Sequence, residues 1–160
     1  MKKPLINAAF IDGVNLYKAR ADLGWEVDTK RLIKHLEETY GVGKAYYFIG
    51  FIARNQGLYD RLKSEGYELV YKQTSYVNGE LKGNIDAELV LKSMTQYRVY
   101  KEAIIVTSDG DFACLVKYLI EKNKLRSVIA STKEKCSHLL EEASGTYICY
   151  ADALRNKLKR

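Results

Sequence analysis

Three aspartates stand where the chain leaves an apolar run. Leu5 to Ile11 passes into Asp12-Gly13-Val14-Asn15, and Ala103 to Val106 passes into Thr107-Ser108-Asp109-Gly110-Asp111-Phe112. If the two runs are neighbouring strands, Asp12, Asp109 and Asp111 converge at one edge of a sheet. Carboxylates crowded in this way raise one another's pKa unless a cation neutralises them. Hard oxygen ligands suit Mg²⁺ or Mn²⁺, which keep part of their water and bind phosphate oxygens. A fourth acid, Asp86, follows Lys82-Gly83-Asn84-Ile85 at the expected start of a helix. Metal-assisted attack of water on a phosphodiester is the chemistry such a set can perform.

Each acid also has a structural reading. Asp111 stands where a helix N-cap belongs. Asp109-Gly110 and Asp12-Gly13 are ordinary turn pairs, and Asp86 is favoured electrostatically at a helix start. Their combination, at the ends of the two most apolar strands, is what points to a site. Thr107 or Ser108 could donate to a phosphate there, or equally to loop backbone. Lys18, Arg54 and Lys82 are candidate substrate contacts, because each lies just beyond a strand or in the loop after one.

These residues need a fold that gathers the strand ends. Strands are expected at Leu5–Ile11, Ala45–Ile52, Tyr67–Gln73, Ala103–Val106, Arg126–Ala130 and Thr146–Tyr150. Helices are expected from Asp28-Thr29 to Tyr40 and at Leu58–Ser64, Ile85–Tyr97, Phe112–Glu121 and Glu134–Glu142, and no element is read between Asn15 and Asp28. Asn78-Gly79 marks a tight hairpin turn. Strands alternating with helices predict an α/β fold with right-handed crossovers, a mostly parallel sheet and helices on both faces. Ligands of such sheets bind beyond the carboxyl ends of the strands, where strand order reverses. With its single proline at position 4 and no linker or repeat, the chain reads as one domain over residues 1–160. The basic tail, Arg155 to Arg160, could serve a polyanionic partner or be a solvated helix end just as well.

Composition bounds the function. Hydrophobic residues make up 47% and charged residues 29%, which excludes a disordered chain. No apolar run reaches the roughly 20 residues of a membrane span, and the N-terminal run is too short for a signal peptide. A cytoplasmic protein is expected. Three cysteines without CxxC spacing indicate neither a disulfide framework nor a zinc site, and they read as small buried hydrophobes. His35 and His138, inside helical patterns, read as packing or surface residues. Gly41-Val42-Gly43-Lys44 lacks the spacing of a phosphate loop and reads as a helix stop plus a turn. A net charge of +6, with a pI near 9.1, favours polyanionic partners. Among the 13 tyrosines, exposed rings could stack on the bases of single strands. Tyr46, Tyr47, Tyr71 and Tyr147 lie in strand patterns and read as core or half-buried.

Ile11-Asp12-Gly13-Val14-Asn15-Leu16, then Lys82-Gly83-Asn84-Ile85-Asp86, then Thr107-Ser108-Asp109-Gly110-Asp111-Phe112 resemble, in this order, the motifs of the NYN domain, a branch of the PIN-like nuclease superfamily. The resemblance runs from about Leu5 to Tyr150. It implies a PIN-like three-layer domain and, in active members, a ribonuclease dependent on Mg or Mn that hydrolyses RNA. It also implies acidic metal ligands at Asp12, Asp86, Asp109 and Asp111, and an Asn15 that holds the site or contacts substrate. One position departs from the pattern. The middle motif usually carries a second acid six residues after its first, and here that residue is Lys92. Its ammonium could stand in for part of a cation, anchor a substrate phosphate, or point to solvent. The alternative function is therefore an RNA-binding or regulatory module of the same fold that cuts weakly or not at all. Homo-oligomerisation stays open.

Overall fold

In a computed structural model, which describes residues 5–82 and 84–160 but not the side chains of 76, 77 and 80–82, the first apolar run continues without a break into a helix. Met1 to Pro4 and Gly83 lie outside the described residues. The order is β1 (Ile6–Asp12), α1 (Gly13–Leu23), α2 (Thr29–Tyr40), β2 (Val42–Phe51), α3 (Gln56–Ser64), β3 (Tyr67–Gln73), β4 (Ser75–Val77) and β5 (Glu80–Lys82). It continues with α4 (Asp86–Thr95), β6 (Tyr100–Val106), α5 (Ala113–Glu121), β7 (Leu125–Ala130), α6 (His138–Ser144), β8 (Ile148–Tyr150) and α7 (Arg155–Leu158).

Six strands form one sheet in the order β3-β2-β1-β6-β7-β8, and every neighbouring pair is parallel. Strand order reverses between β1 and β6. The side chains of β1 alternate between two apolar layers, as the pleat requires. Ala8 and Phe10 pack with Leu89 of α4, Leu115 and Leu119 of α5 and Leu140 of α6. Ala9 and Ile11 pack with Leu32 and Leu36 of α2, Leu62 of α3 and Leu158 of α7. The chain therefore has the three-layer α/β architecture of the PIN-like fold. The parts of β1 and β6 covered on both faces, residues 8–11 and 103–106, are continuously apolar for this reason. β4 and β5 form a separate antiparallel hairpin, turned by Asn78 and Gly79, both at positive φ (52° and 79°).

Several expectations are corrected. Asp12-Gly13 is no turn, because α1 starts at Gly13. A Cβ there would come within 2.5 Å of the Phe48 carbonyl oxygen and of the Tyr47 ring, so only glycine lets α1 start so close to β2. β2 starts at Val42, so Gly41 ends α2 in the left-handed conformation (φ 64°) and no turn follows. α6 and β8 are shorter than expected, with a 3-10 turn at Gly145–Tyr147 between them. The C-terminal tail is not simply solvated. Leu158 is fully buried, Asp28 N–H donates to the Leu158 carbonyl at 2.8 Å, and Val27 pairs with Lys159. Cys136 is buried and Cys149 half-buried, whereas Cys114 is exposed. Among the described residues no helix is long and apolar enough to cross a membrane.

Candidate metal centre

Asp12 ends β1 and caps α1, with 3% of its surface exposed. Its Oδ1 accepts from the Asn15 N–H at 3.0 Å, and its Oδ2 accepts from the Thr107 hydroxyl at 3.0 Å. Burial raises its pKa, and nearby Asp109 adds to the rise. The two hydrogen bonds and the ammonium of Lys18 oppose it. One carboxylate thus receives both an N–H at a helix N-terminus and a hydroxyl from the end of the neighbouring strand, each of which favours its charged form.

Asp109 follows β6 and caps the 3-10 turn Gly110–Phe112, its Oδ1 accepting from the Asp111 N–H at 2.9 Å. The cap role read for Asp111 thus belongs to Asp109. Thr107, buried beneath, accepts from the Asp109 N–H at 3.2 Å while donating to Asp12. Asp86 opens α4, after its N–H has bonded the Asn84 side chain at 2.8 Å. Burial, followed by the charge of Asp109 and a hydrogen bond with Asp111, pushes Asp86 up to about 6.

One oxygen from each of Asp12, Asp86 and Asp109 lies within 4.8 Å of the others. Three hard oxygen donors converge, two of them with raised pKa values, and a divalent cation fits such a set because it removes the mutual repulsion. Asp111 stands outside this triad, exposed, and acts on Asp86.

The remaining candidates separate. Asn15 accepts on its side-chain oxygen from the Ser108 N–H at 2.9 Å, so it fastens the end of β1 to that of β6. The Ser108 hydroxyl is engaged with Ser131, to whose hydroxyl it donates at 3.1 Å and from whose N–H it accepts at 2.8 Å. The side chain of Lys82 lies outside the described residues. Lys92 has its Nζ 5.3 Å from the centre of the Tyr46 ring. Tyr46 pairs with Phe10, two positions below the Asp12–Phe48 pair, so this contact is set back from the strand ends. Glu88 pairs instead with Lys72, at 3.3 Å.

The acids open into a cleft of about 880 Å³, lined also by Tyr17, Lys18, Arg20, Arg54 and Arg61. Lys18 and Arg54 were legible from their places after strands. Tyr17, Arg20 and Arg61 were not, since the first two sit on the unread helix α1 and Arg61 inside an ordinary helical pattern.

A protein named "Low amplitude and bright protein LabA" from Synechococcus elongatus is 26% identical over 157 residues, covering 91% of this chain and 84% of that one. A solved structure of a protein of unknown function from Vibrio parahaemolyticus superimposes with a TM-score of 0.73 over 91% of this chain and 93% of that one. At 19% identity that likeness is one of fold. The NYN domain itself matches residues 7–151, with all four acids inside the match, and the chain belongs to the NYN domain family, with its nuclease-type fold.

Proposed function

We propose that the protein is a metal-dependent ribonuclease that hydrolyses phosphodiester bonds of single-stranded RNA at the strand-end cleft. The observation that carries this reading is the meeting of three carboxylate oxygens within 4.8 Å inside a cleft whose other charged lining is largely basic. Asp12, Asp86 and Asp109 would hold Mg²⁺ or Mn²⁺, which supplies charge neutralisation at the attacked phosphate and a lowered pKa for bound water. Asp12 is oriented by Asn15 and Thr107, so its oxygens are fixed before any ligand arrives. Asp86, at about 6, takes up a proton more readily than an ordinary aspartate does. Asp111 acts on Asp86 by helping to raise its pKa. Lys18 and Arg54 line the same cleft and hold backbone phosphates there. Three unpaired cysteines fit a cytoplasmic enzyme.

The test is cleavage of a labelled single-stranded RNA in Mn²⁺ or Mg²⁺, with and without EDTA. Cutting that EDTA abolishes, and that Asp109→Asn lowers about 100-fold or more, is expected. RNA that binds but stays intact in both metals would leave a binding module.

A further inference from the structure

Tyr17 is an aromatic residue with no part in the core. The residue is 62% exposed, and α1 buries only Gly13 and Ala19. The ring is nonetheless held. The Arg20 guanidinium carbon lies 3.9 Å from its centre, and an Arg20 nitrogen donates to the Tyr17 hydroxyl. Both residues line the cleft that holds the acids. Tyr17 comes five residues after Asp12 on the helix that Asp12 caps, roughly 7 Å along its axis. Lys18, beside it in sequence, is close enough to act on the charge of Asp12. Arg54 stands in the 3-10 turn beyond β2, the strand next to β1.

A surface Tyr–Arg pair can be mere solvated helix. Here the pair sits in a basic, concave site beside the acids, with one face of its aromatic ring covered by a guanidinium and the ring as a whole open. We propose that the Tyr17–Arg20 stack is a shelf on which one unpaired base of the bound strand lies, with Lys18 and Arg54 holding the phosphates beside it. This rests on the reading of the cleft as an RNA site. Stacking on an aromatic ring is tolerant of base identity, since every base has a π-face, and a guanidinium over the ring strengthens it. A duplex keeps its bases inside and offers the shelf nothing to stack, so the shelf selects single strands or splayed-out bases.

Binding is measured by fluorescence anisotropy in EDTA, so that cleavage plays no part, using labelled oligouridylate, an abasic strand of equal length and an RNA duplex. The parent should bind oligouridylate more tightly than the duplex. Tyr17→Ala should weaken oligouridylate binding about tenfold, leave the abasic strand unaffected and keep the melting temperature, while Tyr17→Phe should restore the affinity. Arg54→Gln should weaken both strands alike and lower the log–log salt slope by about one. Lys122→Gln, on α5's C-terminal cap, serves as the control for general charge loss. Oligouridylate binding by Tyr17→Ala equal to the parent, or an equal loss with the abasic strand, would overturn the shelf alone. Absence of all nucleic-acid binding at low salt would overturn the RNA reading with it.

Discussion

Asn15 takes a hydrogen bond on its side-chain oxygen from the Ser108 N–H at 2.9 Å, across 93 residues of sequence, while its own N–H is bound to Asp12. One residue thus ties a helix start, a strand-end carboxylate and the end of the neighbouring strand into a single unit. Asn15→Ala leaves the Ser108 N–H without its partner, a loss of about 1–3 kcal/mol where that group is shielded from water. It should also lower Mn²⁺ affinity about 10–100-fold, the usual effect of loosening a ligand's support. Calorimetric titration with Mn²⁺ beside thermal melting checks this, and unchanged affinity in a destabilised variant would reduce Asn15 to a packing role.

Asp109 carries two duties that substitution can separate. Asp109→Asn keeps an oxygen for the Asp111 N–H and removes a negative charge, so it should weaken Mn²⁺ binding while leaving the metal-free protein as stable as before or more so. Asp109→Ala also loses the cap, and should melt lower by about 1 kcal/mol of stability. A marked loss of stability in Asp109→Asn, with Mn²⁺ affinity intact, would make Asp109 a turn residue and nothing more.

The raised pKa of Asp86 sets a sign for the pH dependence. Its ordinary value is 3.8 and its folded value about 6, so between these the folded protein binds more protons than the unfolded one. Metal-free stability contributed by this group should therefore fall as pH rises from about 4 to 6. A divalent cation should remove that fall, because it takes the place of the proton. Urea unfolding at several pH values, with EDTA or with Mn²⁺, reads the effect against Asp86→Asn. An identical pH slope in that variant would contradict it.

Lys92 occupies a place where an acid usually stands, yet its Nζ lies over the Tyr46 ring. Lys92→Ala should leave Mn²⁺ affinity unchanged and cost about 0.5–1 kcal/mol of stability, the worth of an exposed cation–π contact. A drop in RNA affinity with metal binding intact would instead put the ammonium on a substrate phosphate.

How much of this was legible depended on burial. β1 and β6 announce themselves because the stretches covered on both faces, residues 8–11 and 103–106, are apolar throughout, and Asp12 and Asp109 stand out as the first charges after them. α1 is silent because it buries only Gly13 and Ala19, so its apolar residues make no clear stripe. Tyr17 and Arg20 remained out of view with it. Lys92 was placed by counting along a motif, and counting registers nothing of the Tyr46 ring over which its Nζ lies, because that ring comes from β2, distant in sequence. The anchoring of the C-terminal tail rests on one leucine and backbone pairing, and periodicity registers neither.

The central place of the β1–β6 pair also bears on how the protein is made. During synthesis β1, β2 and β3 emerge first and can pair among themselves, but the flank of β1 that later receives Ile104, Ile105 and Val106 stays open. At bacterial-to-eukaryotic elongation speeds β6 follows β1 after roughly 5–20 s, a long wait for an unsatisfied strand edge between two apolar faces. During that interval Asp12 exists without Asp109, so the nascent chain cannot assemble the acidic triad. A ribosome-bound chain halted before Tyr100 should accordingly cling to holding chaperones and ignore Mn²⁺, and release of both behaviours should coincide with the arrival of the second strand.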